Sequence, residues 1–322
     1  MKTFERIKTG IPEFPEQANI VVDTYGGNKI KWMVSMAWCL LRYGARPIDY
    51  VRFGFYKKSA CERNRYLTIY RYFRVIKHFG AGKSGIKGKS AEYKTFKEFI
   101  HRDWMEVDGS TNIDIIEDFV RQHDKVIAKP VDGDQGKGVL KIDSIDSVSY
   151  KELLKEKSHT TFVLEELIQN SKELAEINPT SLNTVRATTF ILKDGTPRII
   201  SIILRGGAPD SYVDNWGAGG VGYNFDIETG ICNMYGKDKK NRPYIYHPGS
   251  NVQMIGFKLP NFEQLKDYVI ALTKVYPAAR YVGWDIAITP DGYELIEMNC
   301  PAGHDMFQSF ENPIYELMKK NW

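Results

Sequence analysis

The chain has 322 residues, of which 43% are hydrophobic, and a formal net charge of +4. A sequence of this size can bury a substantial core, and we expect a soluble globular protein of two or three lobes. The longest apolar-rich run, residues 32–41, is interrupted by Ser35 and is shorter than the roughly 20 residues that cross a bilayer. The N-terminal segment MKTFERIKTGIPEF lacks the apolar core of a secretory signal, which predicts a cytoplasmic location.

The first predicted elements are helices. Residues 28–43 have the apolar spacing of a helix, and Gly44 follows them as a residue suited to the left-handed position after a helix C-terminus. A second helical stretch, rich in aromatic and basic residues, covers residues 59–79. Residues 80–90 are glycine-rich and predict a linker, and residues 91–101 predict another short helix. These elements indicate a helical N-terminal lobe.

The positive charge is concentrated between residues 51 and 90, where Glu62 is the one acidic residue. Such a segment attracts anions, although a run of charge is also typical of a solvated helix face. The charge pattern alone leaves both interpretations open. The cationic residues of this segment are Arg52, Lys57, Lys58, Arg63, Arg65, Arg71, Arg74, Lys77, Lys83, Lys87 and Lys89.

From about residue 125 onward the pattern changes to short strands with few helices between them. Helices are predicted there at residues 262–275 and 313–320. The elements do not follow a regular strand–helix alternation, which indicates an α+β fold with largely antiparallel sheets. The predicted strands are residues 125–131, 139–142, 161–167, 184–192, 198–204, 281–288 and 293–298.

A glycine-rich stretch joins two of these strands in the sequence VIAKPVDGDQGKGVLKI, residues 126–142. A dinucleotide-binding loop leads from a strand into a helix, whereas this loop returns into a strand. Two strands joined in this way form a flap whose backbone NH groups can fold over phosphates, because glycine allows close backbone approach. An ordinary glycine-rich hairpin would have the same pattern. The residues of the phosphate-binding interpretation are Lys129, Gly133, Gly136, Lys137 and Gly138.

A second hairpin, residues 283–299, carries acidic residues on both strands. A three-residue loop at residues 290–292 would place Asp285 opposite Glu297, and alternation along the strand then places Asn299 on the same face. Opposed carboxylates repel, and an all-oxygen set around a cation is typical of magnesium or manganese. A solvated hairpin face is the alternative interpretation. The same register would pair Thr289 with Tyr293 and Ala287 with Leu295.

The four cysteines, Cys39, Cys61, Cys232 and Cys300, are far apart in the sequence. They do not form the close pairs that bind structural zinc. Their simplest interpretation is as unpaired thiols in a reducing compartment.

The glycine-rich flap, the strand FVLEELI at residues 162–168 and the carboxylate hairpin occur in an order that resembles the ATP-grasp superfamily. The segments at residues 164–189 and 213–221 resemble a narrower branch, the sugar-transfer-associated ATP-grasp proteins. The resemblance implies an α+β fold in which two lobes clasp ATP. The expected domains are a basic helical lobe at residues 1–88, a small lobe with the flap at 89–168, and a large lobe with the metal hairpin at 169–322.

The resemblance also implies roles for individual residues around the nucleotide. Lys129 would contact the α and β phosphates while the flap closes over them. An earlier lysine normally joins Lys129, and we assign this role to Lys94, with Lys97 as the alternative. The adenine-facing linker between the two lobes would consist of Glu165, Glu166 and Leu167.

A second group of roles concerns the transferred phosphoryl group. Arg186 occupies the position of the family's arginine near that group, and Arg205 is either a second catalytic arginine or a structural one. Asn215 either lines the phosphate or acceptor pocket or belongs to an ordinary loop. Two magnesium ions, with manganese as a substitute, would be held by Asp285, Glu297 and Asn299, and Glu297 would bridge them.

The usual chemistry of the superfamily is carboxylate activation, in which ATP converts a carboxylate to an acyl phosphate and an amine then displaces phosphate. The resemblance therefore predicts an ATP-dependent carboxylate–amine ligase. Its substrates would be small molecules, among them amino acids, sugar acids or amino sugars. The association of this branch with surface polysaccharides makes a sugar or a glycan precursor a candidate partner.

Two other classes of function stay open from the sequence. An ATP-grasp kinase would phosphorylate a hydroxyl group and would need no amine. A non-enzymatic protein would use the basic lobe to bind nucleic acid or an anionic membrane surface. Because the aromatic residues are scattered, we expect no nucleic-acid partner, and contact with the membrane would be peripheral.

Overall fold

The computed structural model describes residues 13–79, 85–133, 138–208, 216 and 219–322. In these ranges the chain forms a helical N-terminal region, a four-stranded sheet and a seven-stranded sheet. All strand pairs found there are antiparallel, as the α+β prediction requires. No helix in the described ranges has the length and apolar character needed to span a membrane.

The N-terminal region confirms the first predicted helix. The Asn28 side chain caps its start by accepting a hydrogen bond from the backbone NH of Ile30 at 2.8 Å. Gly44 ends it with a φ of 66°, the left-handed conformation that favours glycine. The helices are α1 (Glu13–Tyr25), α2 (Lys29–Tyr43), α3 (Pro47–Arg52), α4 (Ala60–Asn64) and α5 (Ile69–His78).

The single helix predicted for residues 59–79 is wrong in one respect, because the structure has two helices, α4 and α5, with a turn between them. The turn is held by a residue from the far end of the chain. Gln308 accepts a hydrogen bond from the backbone NH of Leu67 at 2.8 Å and donates one to the carbonyl oxygen of Leu67 at 2.9 Å. A local apolar pattern cannot reveal such a distant partner.

The small lobe contains the four-stranded sheet, in the order β1-β4-β2-β3. The glycine-rich loop joins β2 to β3, as predicted. Helix α6 is shorter than the predicted helix at 91–101, since it ends at Thr95 and a 3-10 helix follows at Lys97–Phe99. The elements are α6 (Lys89–Thr95), β1 (Trp104–Val107), α7 (Ile113–Gln122), β2 (Val126–Pro130), β3 (Leu140–Ile142), α8 (Val148–Glu156) and β4 (Phe162–Glu166).

The large lobe contains the seven-stranded sheet, in the order β11-β10-β5-β6-β7-β8-β9. Helix α10 packs on this sheet because its apolar residues recur at helical spacing and share one core with the central strands. The elements are α9 (Lys172–Ile177), β5 (Thr184–Ile191), β6 (Pro197–Gly206), β7 (Val221–Phe225), β8 (Gly236–Lys237), β9 (Pro243–Tyr244), α10 (Phe262–Val275), β10 (Tyr281–Thr289), β11 (Gly292–Asn299), a 3-10 helix at Phe307–Phe310, and α11 (Tyr315–Lys320).

The two lobes share part of their apolar core. Tyr93 and Phe96 of α6 and Val163 of β4 belong to the same buried cluster as Trp284 and Leu295 of the large sheet. Phe96 and Trp284 meet edge to face, with ring centroids 5.5 Å apart. This packing fixes α6 and β4 against the hairpin β10–β11.

Candidate active site

A cavity of about 290 Å³ lies where α6, the flap and the end of β11 meet. Lys89 and Glu92 face it from α6, Gly133 from the flap, and Glu297 from β11. The cavity therefore joins a predicted flap residue to a predicted metal ligand. The described residues that line it are Ile86, Gly88, Lys89, Glu92, Val131, Asp132, Gly133, Glu297, Met298 and Cys300.

Lys129 lies on β2 and is not among the described residues that line the cavity. Its ammonium group forms an ion pair with Glu165 of β4. Burial opposes the ionisation of Glu165, but the charges of Arg102 and Lys129 outweigh it and lower the pKa of Glu165 to about 2. The ionised Glu165 therefore holds Lys129 in place.

Backbone NH groups of the predicted adenine-facing linker form hydrogen bonds with other residues of the small lobe. The backbone NH of Glu166 donates to the carbonyl oxygen of Asp103 at 3.0 Å, and that of Leu167 donates to the carbonyl oxygen of Lys125 at 3.0 Å. Glu165 is only 2% exposed and faces the interior. The contact of Glu165, Glu166 and Leu167 with adenine stays a prediction.

Arg102 connects the small lobe to the metal hairpin. Its Nε lies 3.0 Å from Oε2 of Glu165, and its Nη1 lies 2.6 Å from Oε1 of Glu294 on β11. All three side chains are buried. The backbone NH of His101 adds hydrogen bonds of 3.0 Å to both carboxylate oxygens of Glu294. This network sets the position of Lys129 relative to Glu297. The sequence does not predict the network, because a lone arginine between a helix and a strand has no distinctive pattern.

The hairpin β10–β11 places Asp285 opposite Glu297, as predicted, but its loop length and the pairs nearer the loop differ from the prediction. Thr289 pairs with Gly292, so the loop has two residues rather than the predicted three. A β-bulge then leaves Ile296 without an opposite residue and restores the register at Asp285. The predicted pairs Thr289–Tyr293 and Ala287–Leu295 are wrong, and the observed pairs are Ile288–Tyr293 and Ala287–Glu294.

Asp285 is buried between two arginines on neighbouring strands. Nη2 of Arg186 donates to Oδ2 of Asp285 at 2.8 Å, and Nη2 of Arg205 lies 3.0 Å from the same oxygen. Gly283 leaves room for this contact, since a Cβ there would lie 3.1 Å from Cδ of Arg186. Burial opposes the ionisation of Asp285, but both guanidinium groups outweigh it and hold the pKa of Asp285 below its ordinary value. The predicted catalytic arginines therefore meet a predicted metal ligand directly.

Glu297 and Asn299 complete the predicted metal set. Nδ2 of Asn299 lies 3.4 Å from Oδ2 of Asp285, which places both on one face of the hairpin. The Glu297 carboxylate lines the cavity, and within the described ranges no cation lies at ion-pair distance from it. It is thus available as an anionic ligand.

Glu92 is a buried acid that the sequence analysis missed. It accepts a hydrogen bond from the backbone NH of Met298 at 2.5 Å. Burial, and then the nearby charge of Glu297, raise the pKa of Glu92 to about 8. Glu92 is therefore largely protonated at neutral pH. The sequence contains one signal for this residue, since Glu92 is an acid between the apolar Ala91 and the aromatic Tyr93 in a predicted helix.

The donor set fits an open magnesium site better than a closed one. Glu297 and Asn299 offer carboxylate and amide oxygens, whereas the Asp285 carboxylate is already shared by two arginines. In the described part of the chain, no group of three His, Cys, Asp or Glu side chains could hold a metal ion. Magnesium commonly takes one or two protein carboxylates and completes its shell with phosphate oxygens and water. These residues fit that pattern.

Lys89, rather than the predicted Lys94 or Lys97, is at the cavity, and which lysine contacts phosphate stays a prediction. Lys89 lines the cavity, and its Nζ donates to the carbonyl oxygen of Gly133 at 2.8 Å. Lys94 and Lys97 are exposed and are not among the described lining residues. Helix α6 begins at Lys89, after Gly88 with a φ of 75°, so the first helical residue faces the flap and residue 94 lies on the outer face.

Three predicted site residues, Gly136, Lys137 and Asn215, lie outside the described residues. Gly133 lines the cavity at one end of the flap. At the other end, Gly138 has a φ of 72°, and a Cβ there would lie 3.0 Å from Cγ of Pro130. Glycine is therefore required where the flap returns to β3.

Residues 90–312 match the profile of a protein family described as sugar-transfer associated ATP-grasp. No curated protein matches the chain. Similar solved structures include the ATP-grasp ligase PsnB complexed with minimal precursor, Mg and ADP, with 15% identity over 74% of this chain and 59% of that chain and a TM-score of 0.43. D-alanyl-alanine synthetase A from Vibrio cholerae has 12% identity, coverage of 74% and 65%, and a TM-score of 0.47. The chain thus spans less than two thirds of the length of either structure.

Proposed function

Because its residues 90–312 carry the family's pattern, the chain belongs to the sugar-transfer-associated ATP-grasp family, and we propose that it is an ATP-dependent ligase that joins a carboxylate to an amine. The observation that supports this most is the cavity where Lys89, the flap residue Gly133 and Glu297 meet. Lys89 lines this cavity, Lys129 lies on the adjoining strand β2, and Arg186 and Arg205 contact Asp285 on β10. Such a site concentrates positive charge where a triphosphate needs it.

In this proposal the phosphates of ATP lie in the cavity. Lys89 turns from the carbonyl oxygen of Gly133 to a phosphate oxygen, and Lys129 reaches the phosphates from β2 while Glu165 keeps it oriented. Glu297 and Asn299, beside Asp285, would hold magnesium, which when bound would neutralise charge on the phosphates. Arg186 and Arg205 lie next to these ligands and face the transferred phosphoryl group.

The reaction has two steps that balance without a further reactant. A carboxylate oxygen of the first substrate attacks the γ-phosphorus of ATP, the bond to ADP breaks, and an acyl phosphate forms. The amine of the second substrate then attacks the carbonyl carbon, phosphate leaves, and the amine nitrogen loses a proton to water. The protein supplies position and charge rather than a covalent nucleophile. Cys300 fits this, since burial raises the pKa of its thiol to about 11 and keeps it neutral.

The substrates follow from the family description and from the chemistry. Sugar transfer points to a sugar acid or an amino sugar as one reactant, with an amino acid as the other. The product would be an amide-modified precursor of a cell-surface glycan, made in the cytoplasm.

Replacing Lys89 with alanine is expected to weaken ATP binding about 10-fold to 100-fold. A hydrogen bond to a charged group contributes about 1.5–3 kcal/mol, and about 1.4 kcal/mol corresponds to a tenfold change in Kd. Titration calorimetry with a non-hydrolysable ATP analogue and magnesium measures the change. Lys94→Ala is the matched control, because it removes the same charge from the exposed face of the same helix. Equal losses in both variants, or a loss in Lys94→Ala alone, would return the role to Lys94.

The ligase reaction itself predicts a requirement for both substrates. ADP release should need a carboxylate and an amine together, and phosphate should form in equal amount to the amide. A panel of amino acids, sugar acids and amino sugars, with mass spectrometry of the products, tests this. ADP release with a hydroxyl substrate alone, with a phosphorylated product, would identify a kinase and would reject the ligase proposal.

A further inference from the structure

Helix α2 presents an apolar stripe to solvent. Ile30, Val34, Trp38 and Leu41 are 70%, 64%, 59% and 70% exposed, and their spacing of four, four and three residues places them on one face of the helix. We call these four residues the α2 stripe. The opposite face of α2 is buried in the helical core, through Trp32, Met36, Cys39 and Tyr43. Among the described residues, the stripe takes no part in the packing of the helical core.

The charge near the stripe is basic on α2 and α5, whereas α1, which packs against α2, carries the acidic residues Glu13, Glu16 and Asp23. Neither α2 nor α5 contains an aspartate or a glutamate. Phe73 of α5 is 54% exposed and adds an aromatic ring. The cations of these two helices are Lys29, Lys31, Arg42, Arg71, Arg74 and Lys77.

A basic cavity of about 400 Å³ opens at the C-terminal end of the stripe, and Leu41 belongs to both. Four cations line it, Arg42, Arg71, Arg74 and Lys319, and none of its described lining residues is acidic. In the part of the chain that the structure describes, none of these four cations lies at ion-pair distance from a carboxylate. The cavity thus has an excess of positive charge that nothing described there neutralises.

Arg71 shows that the basic cavity is constructed rather than accidental. It is 8% exposed, and its Nη1 donates to the carbonyl oxygens of Asn64 at 2.9 Å and Tyr66 at 2.8 Å. Its guanidinium carbon lies 4.3 Å from the ring centroid of Tyr315. Burial and the neighbouring charges of Arg42 and Arg74 lower the pKa of Arg71. An anion in the cavity would relieve this crowding of like charge.

We propose that this face of the protein binds an anionic membrane surface, with the α2 stripe among the lipid headgroups and acyl chains and a lipid phosphate in the basic cavity. An apolar helix face with flanking lysines and arginines is the pattern of a helix that lies in the membrane interface. Trp38 and Phe73 are of the residue types enriched at that depth. The adjoining cavity lies where the headgroup of a lipid beside the stripe would be.

Charge favours a membrane over the other occupants of such a face. A second copy of the chain, packed symmetrically through α2, would bring the same basic residues against each other. A nucleic acid would satisfy the cations but would leave four apolar side chains in water. An anionic lipid surface would pair with the cations and would also remove the four apolar side chains from water.

Co-sedimentation of the full chain with vesicles tests this proposal. Wild-type protein should sediment with phosphatidylglycerol vesicles and not with phosphatidylcholine vesicles, and salt should weaken the binding. Binding should fall about tenfold or more in two variants. Trp38→Ser/Leu41→Ser removes apolar contact with the acyl chains, and Arg42→Ala/Arg74→Ala removes positive charge that attracts the anionic headgroups. A blue shift of tryptophan fluorescence on vesicle binding should be smaller in Trp38→Phe than in wild type.

Matched controls come from the small lobe. Val148→Ser removes an apolar side chain that is 81% exposed, and Arg121→Ala/Lys155→Ala removes two exposed cations, and both should bind as wild type does. Unchanged nucleotide binding shows that each variant is folded. Wild-type protein that stays in the supernatant with phosphatidylglycerol vesicles overturns the proposal. So does a concentration-dependent dimer that Trp38→Ser/Leu41→Ser abolishes, because the stripe would then be an interface between two copies.

Discussion

Replacing Glu297 with glutamine is expected to reduce ATP turnover about 100-fold to 1,000-fold, the usual cost of losing one preorganised charged group at a phosphoryl-transfer site. Glu297 lines the cavity, and none of the described cations lies at ion-pair distance from it. Glutamine keeps the shape of the side chain and removes its charge. The measurement is ADP release at saturating ATP and magnesium, with a substrate pair found in the panel described above.

The control for this variant is Asp291→Asn, which removes a carboxylate from the exposed tip of the same hairpin. It should turn over ATP at the wild-type rate. Both variants should keep the thermal unfolding midpoint within a few degrees of wild type, because neither Glu297 nor Asp291 belongs to the buried ion network. Turnover of Glu297→Gln within a factor of three of wild type would remove Glu297 from the site.

Replacing Arg102 with methionine is expected to lower the free energy of unfolding by about 3–5 kcal/mol. The change removes the common partner of two buried carboxylates, Glu165 and Glu294, and leaves both charges in a low-dielectric interior. It also removes the hydrogen bond from Nη1 to the carbonyl oxygen of Leu295, at 2.8 Å. Denaturant unfolding at neutral pH measures the loss.

The matched control is Arg121→Met, since Arg121 pairs with Glu117 at 2.8 Å on the solvent side of α7. An exposed pair of this spacing contributes about 0.3–0.5 kcal/mol, so this variant should be nearly as stable as wild type. A loss in Arg102→Met no larger than the loss in Arg121→Met would show that the buried network does not hold the lobes together.

The same network predicts a dependence on pH. The folded pKa of Glu165, about 2, lies below its ordinary value of 4.5, so its contribution to stability is present above about pH 4.5 and is lost as the pH falls toward 2. In Arg102→Met the carboxyl group of Glu165 loses the charge of Arg102, which lowers its pKa in wild type, so it takes up a proton more readily on acidification. The stability difference between wild type and Arg102→Met should therefore narrow as the pH falls.

The hairpin shows how a sequence can predict a site without predicting its details. Counting back from a predicted three-residue loop places Asp285 opposite Glu297, and the structure contains this pair. The loop length was wrong by one residue, and the bulge at Ile296 compensated for that error. A bulge is a one-residue insertion in a strand, and the alternation pattern has no separate signal for it.

The contacts across the cavity were harder to predict. The assignment of Lys94 rests on the resemblance to the family, whereas Lys89 faces the flap because the helix begins there. Where α6 starts depends on the left-handed Gly88 and on the packing of α6 against both lobes. Glu92 and Arg102 acquire their roles from partners more than sixty residues away, and only the folded chain brings those partners together.

For the N-terminal lobe, the sequence predicts the helices and the location of the basic segment. Asn28 and Gly44 mark the ends of α2 because capping is a local interaction. The sequence also located the basic segment, but it did not separate a solvated helix face from a binding surface. That distinction depends on which apolar residues stay exposed, as Trp38 does, once the helical core has packed.

A crystal structure of the full chain with magnesium and a non-hydrolysable ATP analogue would show where the triphosphate binds. We expect it in the cavity between α6, the flap and β11, with Lys89 and Lys129 in contact with phosphate oxygens and Glu297 coordinated to magnesium. A triphosphate bound elsewhere, with Glu297 and the two lysines remote from it, would mean that this cavity is not the nucleotide site.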